Sequence, residues 1–406
     1  MISKSKKNLL LFVTFFFWFA MYVYVPFLSD YESINKPELL AFAGIILGSY
    51  GFTQMCFRIP IGIFSDRIGK RKSFIIFGTV IGGLSALGMF LFDTPIGLLI
   101  FRGLSGVSAA CWVPISVLYS SYFDKNDVTK ALGTASAVCF SGQVSGTLFG
   151  TILVRLIDSS KEIEVIIEKS PVPIEKYTFL AAAFGGLIGI ILSLFIEEKP
   201  VERKNNSLKT IFINIISDKK AFLTLISVSL LAILGQILLF AGPYGFTPKY
   251  ASEILFATPF QKGMITTASI ISQVFAARIG STIFVKKFGI KNACLTGFFL
   301  NTIYFIIMPF VGNMFVLYFI QIVFGFGYGL FFPLLMSLAV KDSSEDKRAT
   351  FMGVFQSVYG LGMFVGPAII GVLCSNFGLK TGFFMIAVLG VLAMILSGLF
   401  IKNVEK

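Results

Sequence analysis

Residues 58–71 read RIPIGIFSDRIGKR, and residues 278–291 read RIGSTIFVKKFGIK. Seven positions of the first stretch recur in the second in the same order, each 220 residues later: Arg58 and Arg278, Ile59 and Ile279, Ile63 and Ile283, Phe64 and Phe284, Arg67 and Lys287, Gly69 and Gly289, Arg71 and Lys291. Because an internal repeat at a fixed offset indicates duplicated structural units, we predict two similar halves.

The repeat extends to two further pairs of segments. At an offset of 219, the positions of Arg102, Gly106 and Pro114 correspond to those of Gln321, Gly325 and Pro333, and the glycine and the proline are identical. At an offset of 220, three glycines recur: Gly133, Gly142 and Gly146 against Gly353, Gly362 and Gly366. Since separate segments keep nearly the same spacing, we interpret the halves as parallel repeats related by an axis along the membrane normal.

The composition indicates a membrane protein. Of the 406 residues, 56% are hydrophobic and only 14% are charged, whereas soluble domains carry about 25% charged residues. Spanning segments must satisfy their backbone polar groups internally, and runs of roughly 20 apolar residues are too long for barrel strands. We therefore predict an all-α membrane protein of two six-helix bundles that are related by pseudo-two-fold symmetry.

Twelve apolar stretches are long enough to cross a bilayer. They lie at residues 8–28, 40–65, 73–92, 96–121, 131–156, 177–196, 221–243, 257–285, 292–311, 314–340, 349–374 and 381–401. We predict an N-terminal six-helix half at 1–196, a cytoplasmic linker at 197–220 and a C-terminal six-helix half at 221–406. Apolar residues at helical spacing in the linker favour an amphipathic surface helix, with an unstructured linker as the alternative: Leu208, Ile211, Phe212, Ile215 and Ile216.

Lysine and arginine are distributed unequally among the predicted loops. The termini and the loops after helices 2, 4, 6, 8 and 10 carry 23 of the 34 basic residues, whereas the opposite loops carry seven. This bias places both termini in the cytoplasm of a multi-pass plasma-membrane protein. The net charge of +13 follows from the same bias and predicts contact with anionic lipid, not with nucleic acid.

The sequence argues against several classes of function. It contains no histidine, and its five cysteines lie in predicted helices, so we expect no metal site, no cofactor and no disulfide framework. The lack of a Ser/His/Asp set argues against an enzyme. The two-half repeat without a filter-like segment argues against an ion channel.

The loop after the second predicted helix carries a motif of six residues: Gly62, Asp66, Arg67, Gly69, Lys70 and Arg71. Gly62 permits close helix approach, Gly69 permits a tight turn, and the basic cluster holds the loop in the cytoplasm. Asp66 can accept hydrogen bonds from a helix N-terminus or pair with an arginine. This pattern resembles the signature loop of the major facilitator superfamily.

That resemblance implies a transporter that alternates between inward-open and outward-open states around a central cavity between the halves. It also implies that the motif serves the gate, with a purely topogenic role as the alternative. In the second half, Lys286 stands at the position of Asp66 and Thr282 at that of Gly62. We therefore expect the gate to be asymmetric.

Two further segments resemble motifs of the same superfamily. Arg102 with its small neighbours resembles the second motif, whose arginine is linked with proton transfer or substrate contact; alternatively, Arg102 only bonds helix carbonyls near the outer end. The glycines of helices 5 and 11 resemble the glycine-rich motif of exporters, although Thr147 replaces the expected proline and Pro367 stands in helix 11 instead. Plain helix packing is the alternative for these glycines.

Arg58 and Arg278 occupy equivalent levels of helices 2 and 8, and no carboxylate falls well inside a predicted span. Two guanidinium groups facing one cavity would clamp a carboxylate or phosphate; alternatively, both snorkel to the cytoplasm and tie the gate loops together. The other substrate-binding candidates are polar or aromatic residues at membrane depth: Arg102, Trp18, Tyr22, Tyr24, Gln54, Trp112, Gln143, Gln236, Gln273, Asn301, Gln321, Gln356 and Tyr359. Each can equally serve an interhelical hydrogen bond or an interface anchor.

These features predict a secondary active transporter that moves a small organic solute by alternating access. The aromatic residues and glycine-rich helices favour efflux of an amphipathic or drug-like compound. Uptake or exchange of an organic anion through Arg58 and Arg278 is the alternative, and a lipid flippase is a lesser one. We expect the partners to be a small-molecule substrate, a coupling proton or other ion, and the lipid bilayer, with the chain acting as a monomer.

Overall fold

The computed structural model describes residues 3–30, 39–123, 128–164, 175–198, 219–279, 283–341 and 348–401. Within these ranges, the side chains of residues 29, 30, 40, 63, 66, 67, 120, 128–133, 136, 158–164, 278, 279, 340 and 348–350 are not described. The predicted amphipathic helix around residues 208–216 lies outside the described residues.

The first six predicted helices are all present. They are α1 (Lys4–Tyr22, followed by a 3₁₀ segment, Val25–Asp30), α2 (Leu40–Ile68), α3 (Arg71–Leu91), α4 (Pro95–Ala110, then Trp112–Ser120), α5 (Val128–Glu164) and α6 (Lys176–Leu194). Since Lys4 starts α1 and the helices alternate in direction, α6 ends on the same face of the bundle as the chain begins.

The second six are present as well. They are α7 (Lys219–Ala241, followed by a π segment, Gly242–Phe246, and a further helix, Thr247–Leu255), α8 (Pro259–Ile279), α9 (Val285–Ile307), α10 (Met314–Lys341), α11 (Arg348–Phe377) and α12 (Leu379–Phe400). We refer to the face that holds Lys4 and Phe400 as the terminal face. We refer to the opposite face as the far face; there, residues 92–94 join α3 to α4 and residues 256–258 follow α7.

Ten helical stretches among the described residues are long and apolar enough to cross a membrane. Helices α2 and α8 also carry buried polar side chains, namely Gln54 and Arg58 in α2 and Lys262 and Thr266 in α8. Both lie at the contact between the halves, where polar side chains face protein and not lipid.

One predicted boundary was wrong, the end at residue 243, and two other helices carry an interruption or a bend that has a local cause. The predicted single helix at 96–121 is interrupted at Cys111, because Pro114 has no N–H to donate to the carbonyl of Ala110. Helix α7 continues to Leu255, well past position 243, through the π segment. Helix α9 begins at Val285 and bends at Gly289, whose φ is 81°.

The geometry confirms the repeat that the sequence predicted. Gly69 and Gly289, its equivalent 220 residues later, both adopt a positive φ, 68° and 81°. The Thr53 hydroxyl donates to the Gly103 carbonyl at 2.6 Å, and 219 residues later the Ser272 hydroxyl donates to the Ile322 carbonyl at 2.7 Å. The α2–α4 contact of one half thus recurs as the α8–α10 contact of the other.

The repeated glycines of α5 and α11 pack helices within each half. In α5, Gly142 and Gly146 lie against the α1 backbone near Phe15 and Phe19. In α11, the equivalent Gly362 and Gly366 lie against α7 near Ile233 and Ile237. Small residues let the two backbones approach, which is the plain packing interpretation of the glycine-rich segments.

The two halves meet along two antiparallel helix pairs, α2 with α11 and α5 with α8. Glycines of α2 lie directly against the α11 backbone, Gly44 against Pro367 and Gly48 against Phe364. Between α5 and α8, Gly263 lies against the Thr151 side chain. A site enclosed by these four helices is therefore lined by both halves.

Candidate substrate site between the two halves

An aromatic cluster spans the two halves near the middle of the bundle. Trp18 of α1 meets Trp112 of α4 edge to face, with ring centroids 5.8 Å apart. Tyr22 of α1 meets Tyr244, in the π segment after α7, at 6.1 Å. Because the Tyr22 and Tyr244 rings belong to different halves, a rocking motion of the halves would change the shape of this cluster.

A second aromatic contact crosses between the halves beside the first. Tyr50 of α2 stacks on Phe240 of α7, with centroids 6.1 Å apart and planes 15° apart. Phe240 in turn meets Tyr244 at 5.6 Å. We call Trp18, Tyr22, Tyr50, Trp112, Phe240 and Tyr244 the central aromatic cluster.

Arg102 of α4 lies at this cluster and is only 5% exposed. Its Nη1 donates to the Tyr24 hydroxyl at 3.0 Å and to the Ser105 hydroxyl at 3.4 Å. Its guanidinium carbon lies 4.4 Å from the centroid of the Tyr50 ring, a cation–π contact. The hydrogen-bond partners are side chains of the site and not the helix carbonyls that the alternative prediction for Arg102 required.

Arg58 of α2 is 3% exposed and joins the halves. Its Nη1 donates to the Tyr359 hydroxyl at 3.0 Å and to the Gln356 carbonyl at 3.1 Å, both on α11. The three predicted site residues Arg58, Gln356 and Tyr359 therefore lie together. The side chain of Arg278 lies outside the described residues, so the two-arginine clamp stays a prediction.

Four glutamines predicted for the cavity are placed as follows. Gln54 Nε2 lies 3.4 Å from the Tyr50 hydroxyl, and Gln236 Nε2 donates to the Tyr328 hydroxyl at 2.9 Å. Gln273, the repeat equivalent of Gln54, donates to Ser269 Oγ at 3.2 Å and also lies within reach of the Tyr244 hydroxyl. Gln143 donates to Cys139 Sγ of its own helix at 3.3 Å.

Several buried polar atoms near the cluster have no hydrogen-bond partner among the described residues. They come from five helical positions of α1, α2, α4 and α7: Trp18 Nε1, Gln54 Oε1, Arg58 Nε, Arg102 Nε and Gln236 Oε1. A buried polar group without a partner costs free energy, about 1–3 kcal/mol. Asn301 and Gln321 of the second half also have buried side-chain atoms without a partner among the described residues, so this property by itself does not locate a ligand.

Two predicted candidates have a different environment. Asn301 of α9 is fully buried, and its side-chain oxygen lies against Gly327 of α10, a contact within the second half. Gln321, the repeat equivalent of Arg102, is also fully buried. The positive charge of Arg102 therefore has no charged equivalent at this position of the second half.

On the far face, side chains of α5 and α6 hold α8 close. Lys262 Nζ of α8 lies 3.6 Å from Glu175 Oε1, at the start of α6. The Arg155 guanidinium of α5 lies 4.7 Å from the centroid of the Phe260 ring. Deeper in the bundle, the Thr267 hydroxyl donates to the Thr147 hydroxyl at 3.4 Å. These contacts join the halves from the far face toward the centre.

On the terminal face, the chain leaving α6 is tied to the signature loop. Glu198 accepts from the backbone N–H groups of Arg71 at 2.5 Å and of Lys72 at 3.0 Å, at the exposed N-terminus of α3. The side chains of Asp66 and Arg67 lie outside the described residues, so their gating role stays a prediction. Gly69 ends α2 in the left-handed conformation, as the tight turn predicted there requires.

Tyr122 belongs to the same terminal-face contact. Its hydroxyl donates to the Glu197 carbonyl at 2.5 Å, and the Glu197 carboxylate pairs with Lys6. Burial, together with the negative charges of Glu198 and Glu197, raises the pKa of Tyr122 to about 12. The hydroxyl thus keeps its proton, and the bond to Glu197, throughout the physiological range.

Sequence reasoning missed Tyr50, Phe240 and Tyr244 at the centre and Glu198 on the terminal face. A signal for Tyr50 existed, because Tyr50, Gln54 and Arg58 are spaced by four residues and share one face of α2. No local pattern identifies Tyr244, whose position depends on the π segment that carries α7 onward.

The family model of the Major Facilitator Superfamily matches residues 9–257 and 245–406 of this chain. The chain belongs to the Major Facilitator Superfamily. The duplicated six-helix architecture and the contact between the halves are those of a secondary transporter of this type, and the resemblance seen in residues 62–71 is confirmed as a family relationship.

Relatives and solved structures agree with this placement. An uncharacterized MFS-type transporter of Methanocaldococcus jannaschii is 24% identical, over 99% of this chain and 100% of its own length. The proton-coupled antiporter flippase LtaA of Staphylococcus aureus is 23% identical, over 99% of this chain and 97% of its own. The crystal structure of a single-residue mutant of the nucleoside transporter NupG superposes with a TM-score of 0.77 at 16% identity, over 98% of this chain and all of that one.

Proposed function

We propose that this MFS transporter exports an amphipathic organic solute, which binds at the central aromatic cluster. The observation that carries the proposal is the contact of Tyr22 in one half with Tyr244 in the other. Aromatic faces bind apolar parts of a solute, while the neighbouring hydroxyl and amide groups orient its polar part. Because rings of both halves form the cluster, the two conformations of the transporter would bind the solute differently.

The contacts on the far face support loading from the terminal face. Lys262, Glu175, Arg155 and Phe260 join the halves there. We propose that the terminal face lies in the cytoplasm of a plasma-membrane protein, and the charge bias supports this orientation. A solute that enters from that side and leaves after the far-face contacts break is exported.

The residues of the signature loop would serve the terminal-face gate in this cycle. Asp66, Arg67, Lys70 and Arg71 lie where the chain passes from α2 to α3, next to the docked Glu198. We propose that breaking and remaking contacts of this loop accompanies the rocking of the halves. A coupling proton or other ion would supply the energy for export.

A lipid flippase is the second candidate. The S. aureus relative that matches along 99% of this chain is a proton-coupled antiporter flippase, and a membrane lipid is itself amphipathic. The same aromatic cluster would then hold part of a lipid.

Transport of a fluorescent amphipathic probe tests the proposal. The protein is reconstituted in liposomes and supplied with N-butyl dansylamide, a neutral amphipath, with and without a pH gradient. We expect uptake into vesicles whose terminal face is outward. Tyr244→Ala should reduce the rate at least tenfold, whereas Phe319→Ala, at a residue that is 62% exposed on the outside of α10, should leave it unchanged. Wild-type rates in Tyr244→Ala would contradict a site at the aromatic cluster.

A further inference from the structure

Two positive charges are buried in the bundle, and neither has a negative partner among the side chains that the structure describes. Arg58 is 3% and Arg102 is 5% exposed. Every carboxylate whose side chain the structure describes is engaged elsewhere, at a helix end: Asp93 with Lys176, Glu175 with Lys262, Glu197 with Lys6, Glu198 with the start of α3, and Glu253 with Lys249. A buried guanidinium without a counter-charge is expensive inside a membrane, which favours a functional explanation.

Both arginines lie along one face of α2, Arg58 as a member of that face and Arg102 against Tyr50. Tyr50 stacks under the Arg102 guanidinium at 4.4 Å, and its hydroxyl lies 3.4 Å from Nε2 of Gln54, which is one turn before Arg58 on α2. Arg58 follows Tyr50 by eight residues on the same face of α2, about 12 Å along the helix. The Tyr50 hydroxyl and the Gln54 amide therefore lie in a region of positive potential that arginines approach from two sides.

Hydrogen-bond donors of both arginines remain unused in this region. Each guanidinium carries five N–H groups, and Nε of both Arg58 and Arg102 lacks a partner among the described residues. The partners that Nη1 does have are neutral, namely hydroxyls and one carbonyl. Neutral partners leave the net charge uncompensated, so a bound oxyanion would gain charge-assisted hydrogen bonds.

We infer that the solute is an amphipathic organic anion, whose carboxylate or phosphate binds beside Tyr50 between Arg102 and Arg58, and whose apolar part lies against Trp18 and Trp112. This inference rests on the proposed function, since it names the class of solute for the same site. It differs from the clamp predicted from sequence, because both arginines come from the first half. A cationic solute is disfavoured by the same two charges.

The chain provides its own reporter for the test. Its only two tryptophans, Trp18 and Trp112, lie in the site with ring centroids 5.8 Å apart. Energy transfer from tryptophan to a dansyl group therefore reports binding at this place. Three probes share the dansyl ring and differ in charge: dansylglycine is an anion, N-butyl dansylamide is neutral, and dansyl ethylenediamine is a cation.

Titration of the purified full-length protein in phosphatidylcholine nanodiscs yields three dissociation constants. We expect the anion to bind at least tenfold more tightly than the neutral probe, and the cation more weakly than either. Arg102→Gln should abolish this preference for the anion. Lys219→Gln, at an exposed position at the start of α7, should retain it. The wild-type comparison needs no variant, so poor folding of Arg102→Gln would not obscure the result.

The outcomes separate the two proposals. Equal binding of all three probes, or tighter binding of the cation, would overturn the anion site but leave the aromatic site standing. Energy transfer with none of the probes would overturn the proposed function together with this inference. If the anion preference holds, the titration is repeated with phosphatidylglycerol in the nanodisc at about 1 M salt, which screens the lipid surface charge. A competing anionic lipid would then raise the dissociation constant of dansylglycine, whereas a site for soluble anions would not respond.

Discussion

Lys262 Nζ of α8 lies 3.6 Å from Glu175 Oε1 at the start of α6, so an ion pair joins the two halves at the far face. The lysine is 4% exposed, and its partner is partly buried. Burial limits the screening that makes exposed ion pairs weak. Because α6 and α8 belong to different halves, the pair must break when the far face opens.

Glu175→Gln should therefore shift the protein toward the state that is open at the far face. Breaking an ion pair costs about 0.2–1 kcal/mol when the pair is exposed and about 3–5 kcal/mol when it is buried, so for this partly buried pair we expect roughly a tenfold change in population. In a cysteine-free background, Thr151→Cys reports the change through its rate of labelling by a membrane-impermeant thiol reagent. We expect a rate increase of about tenfold.

Glu253→Gln is the matched control. Glu253 pairs with Lys249 at 3.1 Å, but both residues lie on the helix that continues α7, so the pair does not cross between the halves. Labelling at position 151 should not change. Equal rates for Glu175→Gln and Glu253→Gln would show that the pair between halves does not hold the far face closed.

Tyr359→Phe tests the connection between α2 and α11. The substitution removes only the hydroxyl that accepts from Arg58 at 3.0 Å, while the ring contacts with Phe332 and Phe355 remain. Arg58 then keeps the Gln356 carbonyl as its partner on α11. We expect a loss of about 1–3 kcal/mol in the stability of this conformation, measured as a lower thermal unfolding temperature in detergent. Tyr177→Phe, on α6, supplies a control, and an equal shift in both variants would refute a specific bond.

Gly146→Ala and Gly353→Ala should change stability in opposite directions. A methyl group at Gly146 would press on the Phe19 carbonyl of α1, whereas the same group at Gly353 meets nothing within 4 Å. The first substitution should cost about 1–3 kcal/mol through overpacking. The second should stabilise the protein by up to about 1 kcal/mol, because alanine favours a helix over glycine. Thermal unfolding of the two variants measures the difference, and a shift of the same sign in both would contradict the packing role of Gly146.

Glu198→Gln should loosen the terminal face. The carboxylate caps two backbone N–H groups at the start of α3, where the helix dipole favours a negative charge. Neutralising it should cost about 0.5–1 kcal/mol, and limited proteolysis at residues 199–218 should become faster. Glu197→Gln removes the charge of an exposed neighbour that contacts Lys6 instead, and should have a smaller effect. Equal proteolysis rates would argue against a capping role.

Much of the architecture was predictable because it depends on periodic properties of the chain. Apolar runs of about 20 residues set the number of membrane helices, since lipid enforces internal hydrogen bonding of the backbone. The offset of 219–220 residues predicted which positions are equivalent, and the matched bonds of Thr53 and Ser272 confirm it. The positive φ angles of Gly69 and Gly289 follow from the same repeat.

The site was only partly predictable. Trp18, Trp112, Arg58 and Arg102 stand out in a sequence, because aromatic and charged residues at membrane depth are conspicuous. Other residues of the contacts do not stand out in the sequence. Tyr244 reaches Tyr22 only because α7 continues through a π segment. Glu198 reaches the start of α3 only because of the path of the chain after α6. The break at Cys111 likewise depends on how the helix accommodates Pro114.

The sequence by itself determined that this chain is a duplicated bundle of twelve membrane helices, because hydropathy and repeat spacing are local, additive properties. Only the tertiary structure decided which side chains meet. Arg58 contacts Tyr359, which is 301 residues away, and Arg102 contacts Tyr24, which is 78 residues away. Such contacts depend on how two halves dock and how each helix is rotated, and no pattern within one segment carries that information.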